Sequence, residues 1–188
     1  MFAASGNRFN MVRAGLCAAA QQTSGQYANG TPRMSKADNN ATPESDRFGE
    51  TPHPRMTYEL FGHDETERQL LEAYRNRKLP QSLILAGPEG IGKATLAWRF
   101  VRFLMANPDP ASSLVNAANS LFVDHDHPAA RKVEALAHSD IFLLRREWNL
   151  QRKRHYTEIR VDDVRELIGR FQQSASGNGW RTAIIDPV

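Results

Sequence analysis

The sequence predicts an α/β fold, in which a parallel sheet is flanked by helices. Three short apolar runs have the length of buried strands, and they occupy residues 82–86, 140–144 and 180–186. Segments with helical spacing of apolar residues lie between them, and this alternation favours parallel strands joined by right-handed crossovers. A glycine-rich loop connects the first strand to the helix that follows. This loop is therefore the first candidate for a functional site.

The loop at residues 87–93 fits the phosphate-binding pattern G-x-x-x-x-G-K-[ST] of P-loop NTPases at every position except the last. Its glycines permit positive φ angles and bring backbone N–H groups close to phosphate oxygens. The next helix directs its positive dipole end at the same anion, and its lysine would reach the β- and γ-phosphates. The predicted cofactor-binding residues are Gly87, Pro88, Glu89, Gly90, Ile91, Gly92, Lys93, Ala94 and Thr95.

Ala94 stands where the pattern has the serine or threonine that normally holds Mg²⁺. Thr95 offers the nearest hydroxyl, but it is one residue out of register and on a different helix face. We therefore expect ATP and Mg²⁺ as cofactors, with weak or no hydrolysis by this chain alone. The alternative is a glycine-rich turn between strand and helix that binds no ligand.

Asp186 is the candidate metal residue. It closes the apolar strand 183–185, and an acidic group at the carboxyl end of a strand beside a phosphate loop steers Mg²⁺ or its water. Many strands end in aspartate, so this feature gains weight only beside the loop at 87–93.

Four segments have helical spacing. The first spans 64–79, with Leu70, Leu71 and Tyr74 on its inner face, Glu67 on its charged outer face, and Pro80 as its end. The second spans 93–105 and is apolar nearly all round. A third spans 128–138. The fourth begins at Asp162 as N-cap and has these inward residues: Val164, Leu167, Ile168 and Phe171.

Composition limits the class of protein. The chain has 188 residues, a formal net charge of +3 and a single cysteine, Cys17, so neither a disulfide framework nor a cysteine-based zinc site is expected. No apolar run approaches the roughly 18 residues of a membrane helix, and we expect a cytoplasmic protein that makes no membrane contact. Residues 1–55 are polar and without periodicity, and predict a disordered extension before a folded module at 56–188. A transit peptide or a start codon placed too early would also account for them.

Two smaller groups of residues are candidates for binding. Residues 124–127 carry two aspartates and two histidines, but adjacent side chains on an extended chain diverge, which favours a solvated loop over a metal site. A basic stretch carries Arg145, Arg146 and the run 152–154, with Trp148 and Tyr156 nearby. Such a stretch either touches nucleic-acid phosphates or is a solvated loop.

Taken in order, several segments resemble the amino-terminal AAA+ module of bacterial clamp-loader subunits of DNA polymerase III, and within that family most closely the delta prime type. The resemblance covers roughly residues 57–188. It rests on LFGHDE (60–65), LPQSLILAGPEGIGK (79–93), HSDI (138–141), IRVDDVR (159–165) and WRTAIID (180–186).

The resemblance implies a five-stranded AAA+ sheet, with residues 58–62 bordering the adenine. It implies the gamma/tau and delta subunits, the sliding clamp and primed DNA as partners. Sensor motifs, arginine finger, lid and collar would lie beyond Asp186, so a truncated module is expected. Many relatives carry a four-cysteine zinc module, whereas residues 106–140 contain no cysteine. Ala94 suits a stator rather than a motor. An autonomous P-loop ATPase or kinase-like motor, and an interaction module with an empty loop, remain alternatives.

Overall fold

The computed structural model describes residues 42–173 and 179–186, and the backbone of Arg13–Ala14. The disordered extension expected over 1–55 falls mostly outside this part of the chain, as does most of the loop expected at 174–179. Within it, helices separate the strands near residues 84, 141 and 182, which agrees with the predicted α/β class.

Five α-helices and six short strands lie within the described residues. The helices are α1 (Asp64–Arg75), α2 (Lys93–Ala106), α3 (Ser113–Ala117), α4 (Pro128–Glu134) and α5 (Val161–Gln172). The strands are β1 (Arg13–Ala14), β2 (Ile84–Leu85), β3 (Ile141–Leu144), β4 (Trp148–Asn149), β5 (Arg154–His155) and β6 (Thr182–Ile185). None of these helices has the length and apolar content needed to cross a bilayer.

The pairing of β3 with β6 is parallel, as the sequence predicts, and its register runs from Ile141 opposite Thr182 to Leu144 opposite Ile185. β1 and β2 form a second parallel pair. β4 and β5 form an antiparallel hairpin that the sequence analysis missed. Among the described residues these are three separate ladders rather than one continuous sheet.

The strand at 82–86 is shorter and more exposed than predicted. Only Ile84–Leu85 is extended and paired, and 47% of Ile84 is exposed to solvent. The reason is that β2 pairs with β1 on one edge, while no described strand pairs with its other edge. The prediction of a fully buried strand is therefore wrong here.

Helix ends differ from the sequence prediction by several residues. α1 ends at Arg75 rather than near residue 79, because Arg77 leaves the helical region at a φ of 54°, so Pro80 plays no part in ending it. α4 likewise ends at Glu134. α5 begins at Val161 with Arg160 as N-cap; Asp162 lies in the first turn and does not cap the helix.

The core forms around α2. One side of this helix joins Leu96, Phe100 and Phe103 to the buried residues of α1, and the other side joins Trp98 and Val101 to Val133 of α4 and Ile184 of β6. The expectation that α2 is apolar nearly all round is confirmed, and burial on two sides fixes it between two layers.

Two predictions about inner and outer faces are wrong. Glu67 of α1 is buried, not exposed, because its carboxylate accepts a hydrogen bond from Arg99 of α2. Of the residues predicted to face inward from α5, Val164, Leu167 and Phe171 are half-buried, whereas 41% of Ile168 is exposed. Phe171 contacts the ring of Phe142 on β3 at 5.0 Å between centroids.

Packed structure begins before the boundary expected at residue 56. Residues 42–57, which we call the strap, include the buried side chains of Asp46 and His53 and a 3₁₀ turn at Pro54–Met56. The carbonyl oxygen of Arg55 accepts a hydrogen bond at 2.7 Å from the buried Arg102 of α2. The strap is therefore attached to the folded part of the chain by its own polar contacts.

Candidate phosphate-binding site

The loop between β2 and α2 has the backbone conformation that its glycines permit. Gly87, Gly90 and Gly92 have φ angles of 152°, 80° and 92°. A Cβ added to Gly87 would lie 2.7 Å from Cδ1 of Ile91, which is closer than real Cβ contacts. A side chain is therefore disfavoured at these positions by backbone conformation, and at Gly87 the terminal methyl of Ile91 would also have to move.

Lys93 is the first residue of α2, and its side chain folds back over the loop. Its Nζ donates hydrogen bonds to the carbonyl oxygens of Gly87 at 3.0 Å and Pro88 at 2.7 Å. The ammonium therefore lies beside the loop backbone.

The amino end of α2 is suited to an anion for a second reason. Gly92 is its N-cap, no described side chain caps it, and its first turn carries no acidic residue. The first N–H groups of a helix have no partner within the helix, and they carry partial positive charge. Ala94 and Thr95 lie in this first turn, both half-buried.

Part of the segment at 58–62 lies against the loop. A Cβ on Gly92 would meet Cδ1 of Leu60 at 3.1 Å, and Nε2 of His63 lies 2.5 Å from the carbonyl oxygen of Ile91. Tyr58 points elsewhere, with the guanidinium of Arg102 3.9 Å from the centre of its ring. Leu60 and His63 therefore form the wall of the loop, and Tyr58 packs on α2.

Asp186 is the residue that follows β6. Its N–H donates to the carbonyl oxygen of Leu144 at 3.0 Å, which places it at the carboxyl end of the β3–β6 pair. Burial raises the pKa of Asp186, the charge of Asp46 adds to this, and His53 and Lys93 oppose it. The charges of Asp46, His53 and Lys93 therefore all act on the predicted metal residue.

The sequence analysis missed a group of charges next to Asp186. The carboxylate of Asp46 lies 2.6 Å from Arg145 and 2.9 Å from Nε2 of His53, and only 1% of its side chain is exposed. Burial alone would raise the pKa of Asp46, but hydrogen bonds from His53 and Arg145 outweigh it and lower the pKa. Arg145 also binds Glu44 at 2.9 Å. Little in the sequence indicated this group, because Glu44, Asp46 and His53 lie in a polar stretch without periodicity.

These contacts limit the ligands available to a divalent cation. Asp186 offers one half-buried carboxylate, whereas the carboxylate of Asp46 already binds two positively charged or polar partners. Mg²⁺ is commonly bound through one or two carboxylates together with phosphate oxygens and water. The site therefore fits Mg²⁺ only as a partner of a bound phosphate.

A separate group of possible ligands occurs at residues 124–126. One ligand atom from each of Asp124, His125 and Asp126 lies within 4.8 Å of the others, so these side chains converge, contrary to the divergence predicted. They converge because the chain turns here: the N–H of Asp126 donates to the carboxylate of Asp124 at 2.8 Å. All three are exposed, and Asp126 also pairs with Arg131 at 2.6 Å. His127 instead caps α4.

A strand, a loop with three glycines at positive φ and a lysine that opens the next helix are together consistent with a P-loop-like α/β fold. A protein-family model described as "DNA polymerase III, delta subunit" matches residues 62–188, which is more than half of the chain. The chain therefore belongs to this family, and the resemblance to clamp-loader-type subunits of DNA polymerase III is confirmed at the level of the family. No curated protein and no solved structure matches the chain. Membership associates the chain with DNA replication.

Proposed function

We propose that this protein is a clamp-loader subunit of the delta prime type in a bacterial DNA polymerase III holoenzyme. It would support the ATP-driven opening of the sliding clamp and its placement on primed DNA. The observation that carries the proposal is Ala94. This chain belongs to the family, and its Lys93 lies against the backbone of the loop. It nevertheless lacks the hydroxyl that a motor subunit uses to hold Mg²⁺. This combination suits a subunit that serves as a rigid partner of the motor subunits.

The partners that go with this role are the gamma/tau and delta subunits, the sliding clamp, and primed DNA through the assembly. The test is co-purification of the tagged full-length protein with the other loader subunits. We expect a stoichiometric complex that loads the clamp onto primed DNA, and no loading when this subunit is omitted. If the protein does not associate with any loader subunit, the proposal is wrong.

We further propose that the loop binds ATP, with Mg²⁺. Lys93 and the N–H groups of residues 90–93 would hold the phosphates, Leu60 and its neighbours at 58–62 would border the adenine, and Asp186 would orient the metal. The support is the loop conformation and the uncapped end of α2, together with the effect of the charge of Lys93 on the pKa of Asp186. Bound Mg²⁺ would neutralise phosphate charge.

Isothermal titration with ATP and Mg²⁺ tests the loop directly. We expect Lys93→Ala to abolish measurable binding, because the variant lacks the ammonium beside the phosphates. Lys132→Ala is the matched control, since Lys132 is an exposed lysine on α4. No binding by the unsubstituted protein would instead favour an interaction module with an empty loop.

Ala94→Thr tests whether only the metal ligand is missing. Restoring the hydroxyl should tighten binding of Mg²⁺–ATP by about 1 kcal/mol, the typical value of one such contact. An unchanged or weaker affinity would show that the pocket departs from the functional geometry elsewhere. Steady-state ATPase activity of a motor's magnitude in the unsubstituted protein, lost in Lys93→Ala, would favour an autonomous ATPase.

A further inference from the structure

The β4–β5 hairpin carries an ordered turn at residues 150–153. The side-chain carbonyl oxygen of Asn149 accepts hydrogen bonds from the N–H groups of Gln151 at 3.0 Å and Arg152 at 2.9 Å. Lys153 has a φ of 48°, which returns the chain to pair with β4. The side chain of Asn149 therefore holds the turn in a defined conformation, so the exposed side chains of the turn extend from an ordered backbone.

What the turn presents is positive charge without a counter-charge. Residues 152–154 are Arg-Lys-Arg, all three are exposed, and no carboxylate in the described ranges forms an ion pair with any of them. Exposed arginines on α5 differ, because Arg165 pairs with Asp162 at 3.1 Å and Arg170 pairs with Glu166 at 2.6 Å. Other exposed cations of the described residues, such as Arg77, Lys78 and Lys132, also have no ion pair, but the turn carries three such cations in consecutive positions. We call residues 152–154 the basic tip.

The surroundings of the basic tip bear on the kind of partner. Trp148 and His155 contact each other edge to face at 4.9 Å within the hairpin, and Arg160 lies 6.0 Å from the ring centre of Tyr156. These aromatic rings already have partners. The single large apolar side chain at the turn is Leu150, which is 78% exposed. A protein interface normally has an apolar core and few lysines, and this surface has the opposite character.

We infer that the basic tip binds the phosphodiester backbone of nucleic acid. Closely spaced Lys and Arg side chains bind successive phosphates and release the counterions condensed on them. Contacts of this type position a protein on nucleic acid without reading its sequence. Because the chain belongs to a DNA replication family, DNA is the nucleic acid to test. The inference does not depend on nucleotide binding by the loop at 87–93.

The test is the salt dependence of DNA binding by the full-length protein. A fluorescent duplex and a single strand of equal length are titrated, and anisotropy is recorded from 50 to 200 mM salt, for the protein and for a triple variant. The variant carries Arg152→Gln, Lys153→Gln and Arg154→Gln, which remove the charges, keep polar side chains and leave Asn149 in place. Each lost phosphate contact lowers the slope of log K against log salt by about 0.9 on duplex DNA.

Loss of all three contacts therefore lowers the slope by about 2.7, and the affinity ratio of protein to variant shrinks by about 40-fold between these salt concentrations. On the single strand the slope should fall by about 2, since each contact there contributes about 0.7. A control variant carries Arg77→Gln, Lys78→Gln and Lys132→Gln, which removes the same charge from exposed positions on other elements. We expect the control to retain most of the slope.

Three results would overturn the inference. One is an unchanged slope in the tip variant, and another is an equal loss in the control. The third is displacement of DNA by polyglutamate of matched charge at the same concentration, which would point to an acidic protein surface instead. Co-purification with the polymerase III subunits, measured on the same variants, separates this inference from the proposed function. The tip variant should still assemble, whereas failure of the unsubstituted protein to assemble contradicts only the proposed function.

Discussion

Replacing Gly92 by alanine tests whether the phosphate loop depends on its left-handed backbone. Gly92 is the N-cap of α2 and has a φ of 92°. An L-residue in the left-handed region costs about 1–2 kcal/mol more than glycine, because its Cβ approaches the following carbonyl oxygen. The new Cβ would also lie 3.1 Å from Cδ1 of Leu60, the flexible end of that side chain, which can move by a few tenths of an ångström.

The expected result is a loss of about 1–2 kcal/mol in the free energy of unfolding, most of it from the backbone. Gly90→Ala separates the two contributions, since Gly90 has a φ of 80° but nothing within 4 Å of an added Cβ. The two variants should therefore lose similar amounts. A much larger loss for Gly92→Ala would assign the effect to the contact with Leu60 instead.

Chemical unfolding by urea, followed by circular dichroism, measures these changes. Gly169→Ala is the matched control: Gly169 lies within α5, its φ is not positive, and an added Cβ would meet nothing within 4 Å. There the same substitution should stabilise by about 0.5–1 kcal/mol, because alanine favours a helix. If Gly92→Ala and Gly169→Ala change the free energy of unfolding in the same direction, the reasoning is wrong.

Three further predictions concern buried charges. Arg181→Met should cost about 3–5 kcal/mol in urea unfolding because it leaves the buried Asp140 without its 3.2 Å ion pair, while Arg165→Met at an exposed pair should cost less than about 1 kcal/mol. Asp186→Asn should raise the stability at pH 7, since the folded protein raises the pKa of Asp186 and so disfavours its charged form; the gain should shrink as the pH falls through the raised pKa and be absent below the ordinary pKa. Asp46→Asn should do the reverse, because the folded protein lowers the pKa of Asp46: its contribution is present above the ordinary pKa and is lost as the pH falls through the folded-state pKa. If the free energy of unfolding of both variants depends on pH, between pH 7 and pH 3, in the same way as that of the unsubstituted protein, the predictions for Asp186 and Asp46 are wrong.

Local patterns predicted the conformation of the loop at 87–93 better than they predicted the ends and faces of the helices. The positive φ angles of Gly87, Gly90 and Gly92 and the start of α2 at Lys93 could be predicted because glycine is the residue type that adopts such angles readily. The inner face of α1 was predicted correctly for its apolar residues and wrongly for Glu67. That residue is buried because Arg99, 32 positions later, pairs with it, and the spacing of residues along one helix contains no information about such a partner.

The strap and the β4–β5 hairpin could not be predicted from local sequence patterns, for two different reasons. Asp46 lies in an aperiodic polar stretch, and its burial depends on Arg145, so no local signal could indicate it. The hairpin is short, and its strands of two residues are below the length at which alternation can be recognised. The exposure of Ile168 on α5 could not be predicted either, because an amphipathic pattern shows which face is apolar but not whether a partner covers it.

The attachment of the strap also has a consequence for the order in which the molecule assembles. The bond between Arg145 and Asp46 joins residues 99 positions apart, and the bond from Arg145 to Glu44 joins residues 101 positions apart. Closing so long a loop costs conformational entropy that local helices do not pay. We therefore expect the strap to dock last during folding and to detach first, in a local opening that leaves α2 and its packing intact. In that open state Asp186 would be more hydrated and would lose the charge of Asp46 beside it, so it would ionise more readily. Opening of the strap would therefore change how readily the carboxylate of Asp186 ionises. Hydrogen exchange would detect the opening, because the amides of residues 44–57 would exchange early while those of α2 remain protected.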